Sequence, residues 1–234
     1  MKKTYLVLGA AGSIGKAVAR RLCGDGHHVF ASVRNGQRRA MGELADMGAK
    51  VEVIDDVSDP AALSKLGGAY ALTEPVYFDG IVYAVGHCPP GGFPEAIQHP
   101  LAKLPLEDYL REINMHQVGA LNTFQWMWSL VAPGGCFVFI SSAVTRLKGA
   151  FPPFLQAHYH ASVISALDWL IEGMRHDPVM AGMGIKIHRL APIAVNTPFH
   201  TGGPRPPKLL EVEDVVREVL AALASEETVD KEIA

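Results

Sequence analysis

An apolar run, Tyr5-Leu6-Val7-Leu8, stops at three glycines spaced through Gly9-Ala10-Ala11-Gly12-Ser13-Ile14-Gly15, and an amphipathic segment follows at once from Ile14 to Cys23. A strand that turns directly into a helix over small residues gathers unpaired backbone N–H groups at the positive end of the helix dipole. Small side chains there let the backbone approach a pyrophosphate closely. The pattern predicts a dinucleotide cradle contacted by Gly9, Gly12, Ser13, Ile14 and Gly15, in a chain whose first unit is a strand and a crossover helix.

The remaining sequence repeats that alternation. Short apolar runs at His28 to Ser32, Val51 to Ile54, Gly80 to Ala84, Phe137 to Ile140 and Ile185 to His188 read as strands, giving six parallel strands with the first. Between them, apolar residues recur three or four apart at Arg38 to Met47, Pro60 to Leu66, Leu106 to Leu130, His158 to Met174 and Glu213 to Ala224, the spacing of helices with one buried face. Right-handed crossovers then imply an α/β, Rossmann-like doubly wound parallel sheet with helices on both faces. At 234 residues, with no internal repeat or low-complexity tract, the chain reads as one domain spanning 1–234. Ligands of such sheets bind beyond the carboxyl ends of the strands.

Composition excludes several functions. Hydrophobic residues make up 49% of the chain and charged residues 19%, which suits a packed core. The net charge is −3 and no basic run exceeds a pair such as Lys2-Lys3 or Arg38-Arg39, so neither nucleic acid nor a membrane is an expected partner. Glycines interrupt the first apolar stretch too early for a secretory segment, and the three cysteines, Cys23, Cys88 and Cys136, lack metal-ligand spacing. A cytoplasmic protein with reduced thiols is expected.

Val33-Arg34-Asn35 closes the second strand, where a carboxylate would select NAD and a cation would select the extra phosphate of NADP. Arg34 therefore points to NADP, with NAD as the alternative.

From the glycine turn to the last helix, these landmarks resemble the short-chain dehydrogenase/reductase family. Gly9 to Gly15 is similar to the family's glycine turn, with Leu8 in place of its threonine. The resemblance implies that Asp56-Val57 meets the adenine ring, that Gly86 belongs to the cofactor site after the fourth strand, and that Thr197, in Thr197-Pro198, touches the nicotinamide carboxamide. It further implies that Asn114 supports a proton-relay water, that Ser142 polarises the substrate oxygen, and that Tyr159 is the proton donor while a hydride moves between the cofactor and a carbonyl or alcohol carbon.

The sequence departs from that pattern. Tyr159-His160-Ala161-Ser162-Val163 has valine where the family's Y-x-x-x-K motif has lysine; Tyr83-Ala84-Val85-Gly86 keeps only the glycine of N-N-A-G; and Pro192 is followed by Ile193. A lysine at position 163 would stand one helical turn from Tyr159 and lower its pKa. Lys148 and Arg146 are candidate substitutes. The departures keep two other readings open: a dinucleotide or metabolite sensor or partner subunit on this fold, and a non-redox isomerase or dehydratase.

Other residues carry weaker signals. His158 and His160 point apart on a helix and cannot share one ion, so no metal is expected. His87 and Cys88 read as pocket lining for a small-molecule substrate. The Pro- and Gly-rich segments Gly86 to Pro105 and Pro192 to Lys208 suit loops over the binding face, with 192–208 as the substrate loop or lid. Trp126 and Trp128, with Phe124 and Met127, suit either core packing or a helix pairing between subunits of a homodimer or homotetramer.

Overall fold

Residues 1–72, 76–86, 101–146, 158–198 and 208–234 are described in the computed structural model. Seven strands form one parallel sheet: β1 (Thr4–Leu8), β2 (His28–Val33), β3 (Lys50–Val53), β4 (Phe78–Tyr83), β5 (Val131–Ile140), β6 (Lys186–Pro192) and β7 (Asp230–Ile233), in the order β3-β2-β1-β4-β5-β6-β7. The order reverses between β1 and β4, which opens a crevice beyond their carboxyl ends.

Strand alternation divides the core into two layers. Leu6, Leu8, Ile81, Tyr83, Phe137 and Phe139 face helices α3 (Pro60–Leu72), α5 (Gly119–Met127), α6 (His158–Arg175) and α7 (Pro178–Met183). Tyr5, Val7, Val82 and Val138 face α1 (Ser13–Gly24), α2 (Arg38–Asp46) and α8 (Val212–Ala224) on the other side. Helix α4 (Leu106–Ile113) precedes α5 and packs on α6. Among the described residues, no helix is long and apolar enough to cross a membrane.

Three differences from the sequence reading have physical causes. The sheet has seven strands rather than six, because β7 reads Asp230-Lys231-Glu232-Ile233 and buries only its last residue. Edge position removes the hydrophobic signal that betrays inner strands. The expected helix from Leu106 to Leu130 is broken by a π-helical segment, Asn114–Val118, and ends in a 3-10 turn, Trp128–Leu130. The six residues of α7 are too few to show periodicity, although the Asp177 carboxylate caps its Val179 N–H and Gly184 ends it at φ +65°.

Candidate active site

The turn from β1 into α1 lies at the strand-order reversal. Gly9 has φ +78°, and a Cβ there would stand 2.6 Å from the Ala84 carbonyl oxygen just beyond β4. A Cβ on Gly15 would stand 2.4 Å from the Gly9 carbonyl oxygen. Both positions demand glycine for close backbone approach. Gly12 is the N-cap of α1 and no side chain caps that end, so the first-turn amides of Ser13, Ile14 and Gly15 face outward with the helix dipole behind them. The Ser32 hydroxyl, reached by the Gly9 N–H at 3.1 Å, fixes the turn to β2.

Beside this turn is a cleft of about 400 Å³ lined by Ala11, Lys16, Gly36, Gln37, Arg39, Ala40 and Glu43. Lys16 and Arg39 both bond Glu43, at 2.9 Å each, and hold its carboxyl below the usual range. Arg34 is exposed at the end of β2, its backbone N–H donating to Gln37. Two cations thus stand near Arg34 that no sequence spacing reveals. Asp56 is turned onto Ser58, accepting from its N–H and its hydroxyl. Val57 is buried, and its side chain packs close to Gly119 at the start of α5.

Beyond β4, Tyr83 replaces an amide side chain with a buried phenol whose hydroxyl donates to the Met115 carbonyl inside the π-helical segment. Burial, and then the charge of Asp56, push this phenol above its ordinary pKa. Gly119 leaves room for the ring: a Cβ there would collide with the Tyr83 hydroxyl. The break in the helix has a consequence for side-chain direction. Asn114 is exposed, whereas His116 is buried with its Cε1 3.9 Å from where a Cβ on Gly86 would lie. His116 is thus the side chain that this segment sends toward Gly86.

At the end of β5, Ser142 is half-buried and its Oγ accepts from the Val144 N–H at 3.3 Å, leaving its own O–H to donate. Its neighbour Ser141 donates to Asp168 at 2.5 Å. The turn Ala143–Arg146 packs on α6, whose second residue is Tyr159. Val144 of that turn and Tyr159 belong to the same buried cluster. Tyr159 is 7% exposed; burial, then the charges of Glu112 and Asp108, push its phenol above the ordinary value. Val163 is fully buried, and Gln117 donates to its carbonyl. Arg146, the candidate substitute for a lysine, is exposed and pairs with Glu232 of β7 at 2.8 Å. Lys148, His87 and Cys88 lie outside the described residues.

Of the 192–208 segment, 192–198 and Lys208 are described. Thr197 is half-buried at its start, and the stem is closed by the Val195–Leu210 bridge and the Asn196 N–H to Leu210 carbonyl bond.

A further group assembles between α4, the π-helical segment and α6. Glu112, His116 and His160 are all buried, with one Glu112 oxygen 2.9 Å from Nδ1 of His160 and 3.5 Å from Nε2 of His116. Burial would raise the Glu112 pKa, yet the hydrogen bonds of the two imidazoles hold it well below the carboxylate range. Burial lowers the pKa of His160, opposed by Glu112. The spacing of Glu112 and His116 was visible as i, i+4, but the contribution of His160 depends on how two helices pack.

A family model described as short chain dehydrogenase matches residues 3–204. Among solved structures, a short chain dehydrogenase from Burkholderia cenocepacia J2315 in complex with NADP is similar over 99% of this chain and 96% of its own, with 19% identity and a TM-score of 0.79. An alcohol dehydrogenase from the archaeon Thermococcus sibiricus, complexed with 5-hydroxy-NADP, aligns over 100% of this chain and 96% of its own, with 21% identity and a TM-score of 0.77. A blue fluorescent protein from a metagenomic library, in complex with NADPH, covers 99% and 96%, at 20% identity and a TM-score of 0.77. No curated protein matches the sequence.

Proposed function

The chain belongs to the short-chain dehydrogenase family, and from that premise we propose that it is an oxidoreductase moving a hydride between NADP(H) and a carbonyl or alcohol carbon. The observation that carries the reading is the uncapped first turn of α1 behind Gly9 and Gly15, a cradle whose free amides fit a diphosphate.

Lys16 and Arg39 in the adjoining cleft, with Arg34 at the end of β2, suit the extra phosphate of NADP and favour it over NAD. Bound there, the cofactor supplies or accepts the hydride. In this reading Tyr159 transfers the proton at the substrate oxygen, Ser142 donates a hydrogen bond to that oxygen, and Gly86 and Thr197 border the nicotinamide end. Asp56 and Val57 border the adenine end in the same reading. Asn114, exposed at the start of the π-helical segment, supports the proton-relay water in the same reading.

Val163 and the engagement of Arg146 by Glu232 favour a second reading, a family member that binds the dinucleotide without turning over. Purified protein titrated with NADPH and NADH, then screened for loss of NADPH absorbance with carbonyl compounds, separates the two. Binding with turnover supports the oxidoreductase; binding alone favours the sensor or a proton transfer without net redox; no binding overturns both.

Exposed apolar side chains at Leu106, Leu110, Trp126 and Trp169 support self-association of copies through the helical layer, as a homodimer or homotetramer. The free thiols of Cys23 and Cys136 suit a reducing compartment such as the cytoplasm.

A further inference from the structure

We propose that Glu112, His116 and His160 hold a divalent transition-metal ion, zinc foremost, at the inner edge of the crevice. Each offers one ligand atom, and these atoms lie within 4.8 Å of one another. Tetrahedral zinc with ligands at its usual distances separates them by about 3.4 Å. The carboxylate oxygen is already 2.9 Å from one imidazole nitrogen and 3.5 Å from the other, so only the third edge has to close. Two imidazoles and a carboxylate form a borderline donor set that suits zinc better than calcium or magnesium.

The arrangement is poorly explained as a hydrogen-bonded core. Both rings converge on the same Glu112 oxygen, their centroids 5.6 Å apart, while the Nδ1 atom of His116 is buried with no partner. Among the described residues, the ion-pair partners of Glu112 are these two imidazoles, and its side chain is 95% removed from solvent by its 5% exposure. Among the described residues no lysine or arginine pairs with this buried anion, and a bound cation would stabilise it. Glu112 and His116 stand one turn apart and His160 opposes them from the first turn of α6, so three ligands arrive from rigid helices. The fourth tetrahedral position stays open for water or another small ligand. His116 places the site beside Gly86, just beyond β4 at the crevice.

The test uses the untagged full chain, stripped with chelator and dialysed, with no dinucleotide present. Isothermal titration with Zn²⁺ and the visible spectrum on adding Co²⁺ are the two readouts. One saturable ion per chain and the strong visible bands of tetrahedral cobalt are expected. Glu112→Gln and His116→Ala should each weaken zinc affinity by about 100-fold or more, exceeding the usual effect of outer-shell changes. His176→Ala, at an exposed histidine just past the end of α6, should leave it unchanged. Circular dichroism checks folding; should His116→Ala fail to fold, Glu112→Gln, which keeps the shape of the carboxyl, carries the comparison. Absence of saturable binding to the parent chain, or binding that survives in folded Glu112→Gln, overturns the site and leaves the dinucleotide titration unaffected.

Discussion

Arg189 grips Asp168 with two parallel bonds of 2.7 Å, from Nε and Nη2 to the two carboxylate oxygens. The guanidinium is 4% exposed and also reaches Asp230 of β7, while Asp168 accepts the Ser141 hydroxyl. One ion pair thus joins β6, β7 and α6 to the residue before Ser142. Asp168→Ala leaves Arg189 with Asp230 as its remaining carboxylate and should lose about 1.5–3 kcal/mol in urea unfolding. A loss under 1 kcal/mol would mean that the pair contributes little beyond an exposed one.

The glycine turn should tolerate no side chain at its strained position. Gly9→Ala meets both the φ of +78° and the Ala84 carbonyl, costing about 2 kcal/mol or more, and should abolish NADPH binding in the folded fraction. Fluorescence titration of the variant checks this; an unchanged Kd rules out the turn as the cradle.

Selectivity for the phosphorylated dinucleotide should depend on the cleft between α1 and α2. Lys16→Ala and Arg39→Ala are each expected to raise the NADPH Kd at least about tenfold while leaving NADH unchanged, the size of one charge-assisted hydrogen bond. Equal effects on both cofactors would place those cations outside the phosphate site.

Tyr159→Phe keeps the ring and removes only the hydroxyl. Turnover should fall by about 10² to 10⁴, the usual contribution of general acid–base catalysis, with NADPH affinity retained. Steady-state rates alongside a binding titration decide it, and an unchanged rate transfers the proton step to another group.

Acid should act on His188 in β6. Burial, then Lys186 and Arg175, lower its pKa from 6.5 to about 4, and its Nδ1 accepts the Val229 N–H. The unfolded chain therefore takes up a proton that the folded chain refuses. Stability from this group is complete above pH 6.5 and is lost as pH falls from 6.5 toward 4, by about 3 kcal/mol. Chemical unfolding of the parent and His188→Gln across that window should give curves that converge; parallel curves would show that His188 does not titrate with unfolding.

Inner strands and their crossover helices were legible because fully buried apolar runs such as Phe137 to Ile140 are unlike anything around them. The glycine turn was legible for a related reason, since only backbone crowding explains glycine at both 9 and 15. Side-chain partnerships across elements were not. His116 reads as one residue on a long helix until the packing of the π-helical segment buries it beside Gly86. Lys16 joins Arg39 only through the packing of α1 on α2, and His160 joins Glu112 only through the packing of α6 on α4. The Arg146–Glu232 pair is equally hidden, because Glu232 belongs to a strand too polar to be recognised.

That polar strand also guards one rim of the sheet. An open sheet invites another chain to stitch onto its unpaired rim, the first step toward aggregation. Here the rim on one side carries Asp230, Lys231 and Glu232, each tied to a charge from a neighbouring helix, strand or turn, and the rim on the other carries Lys50 and Glu52. Stitching would strip water from those charges, which disfavours growth of the sheet at either rim.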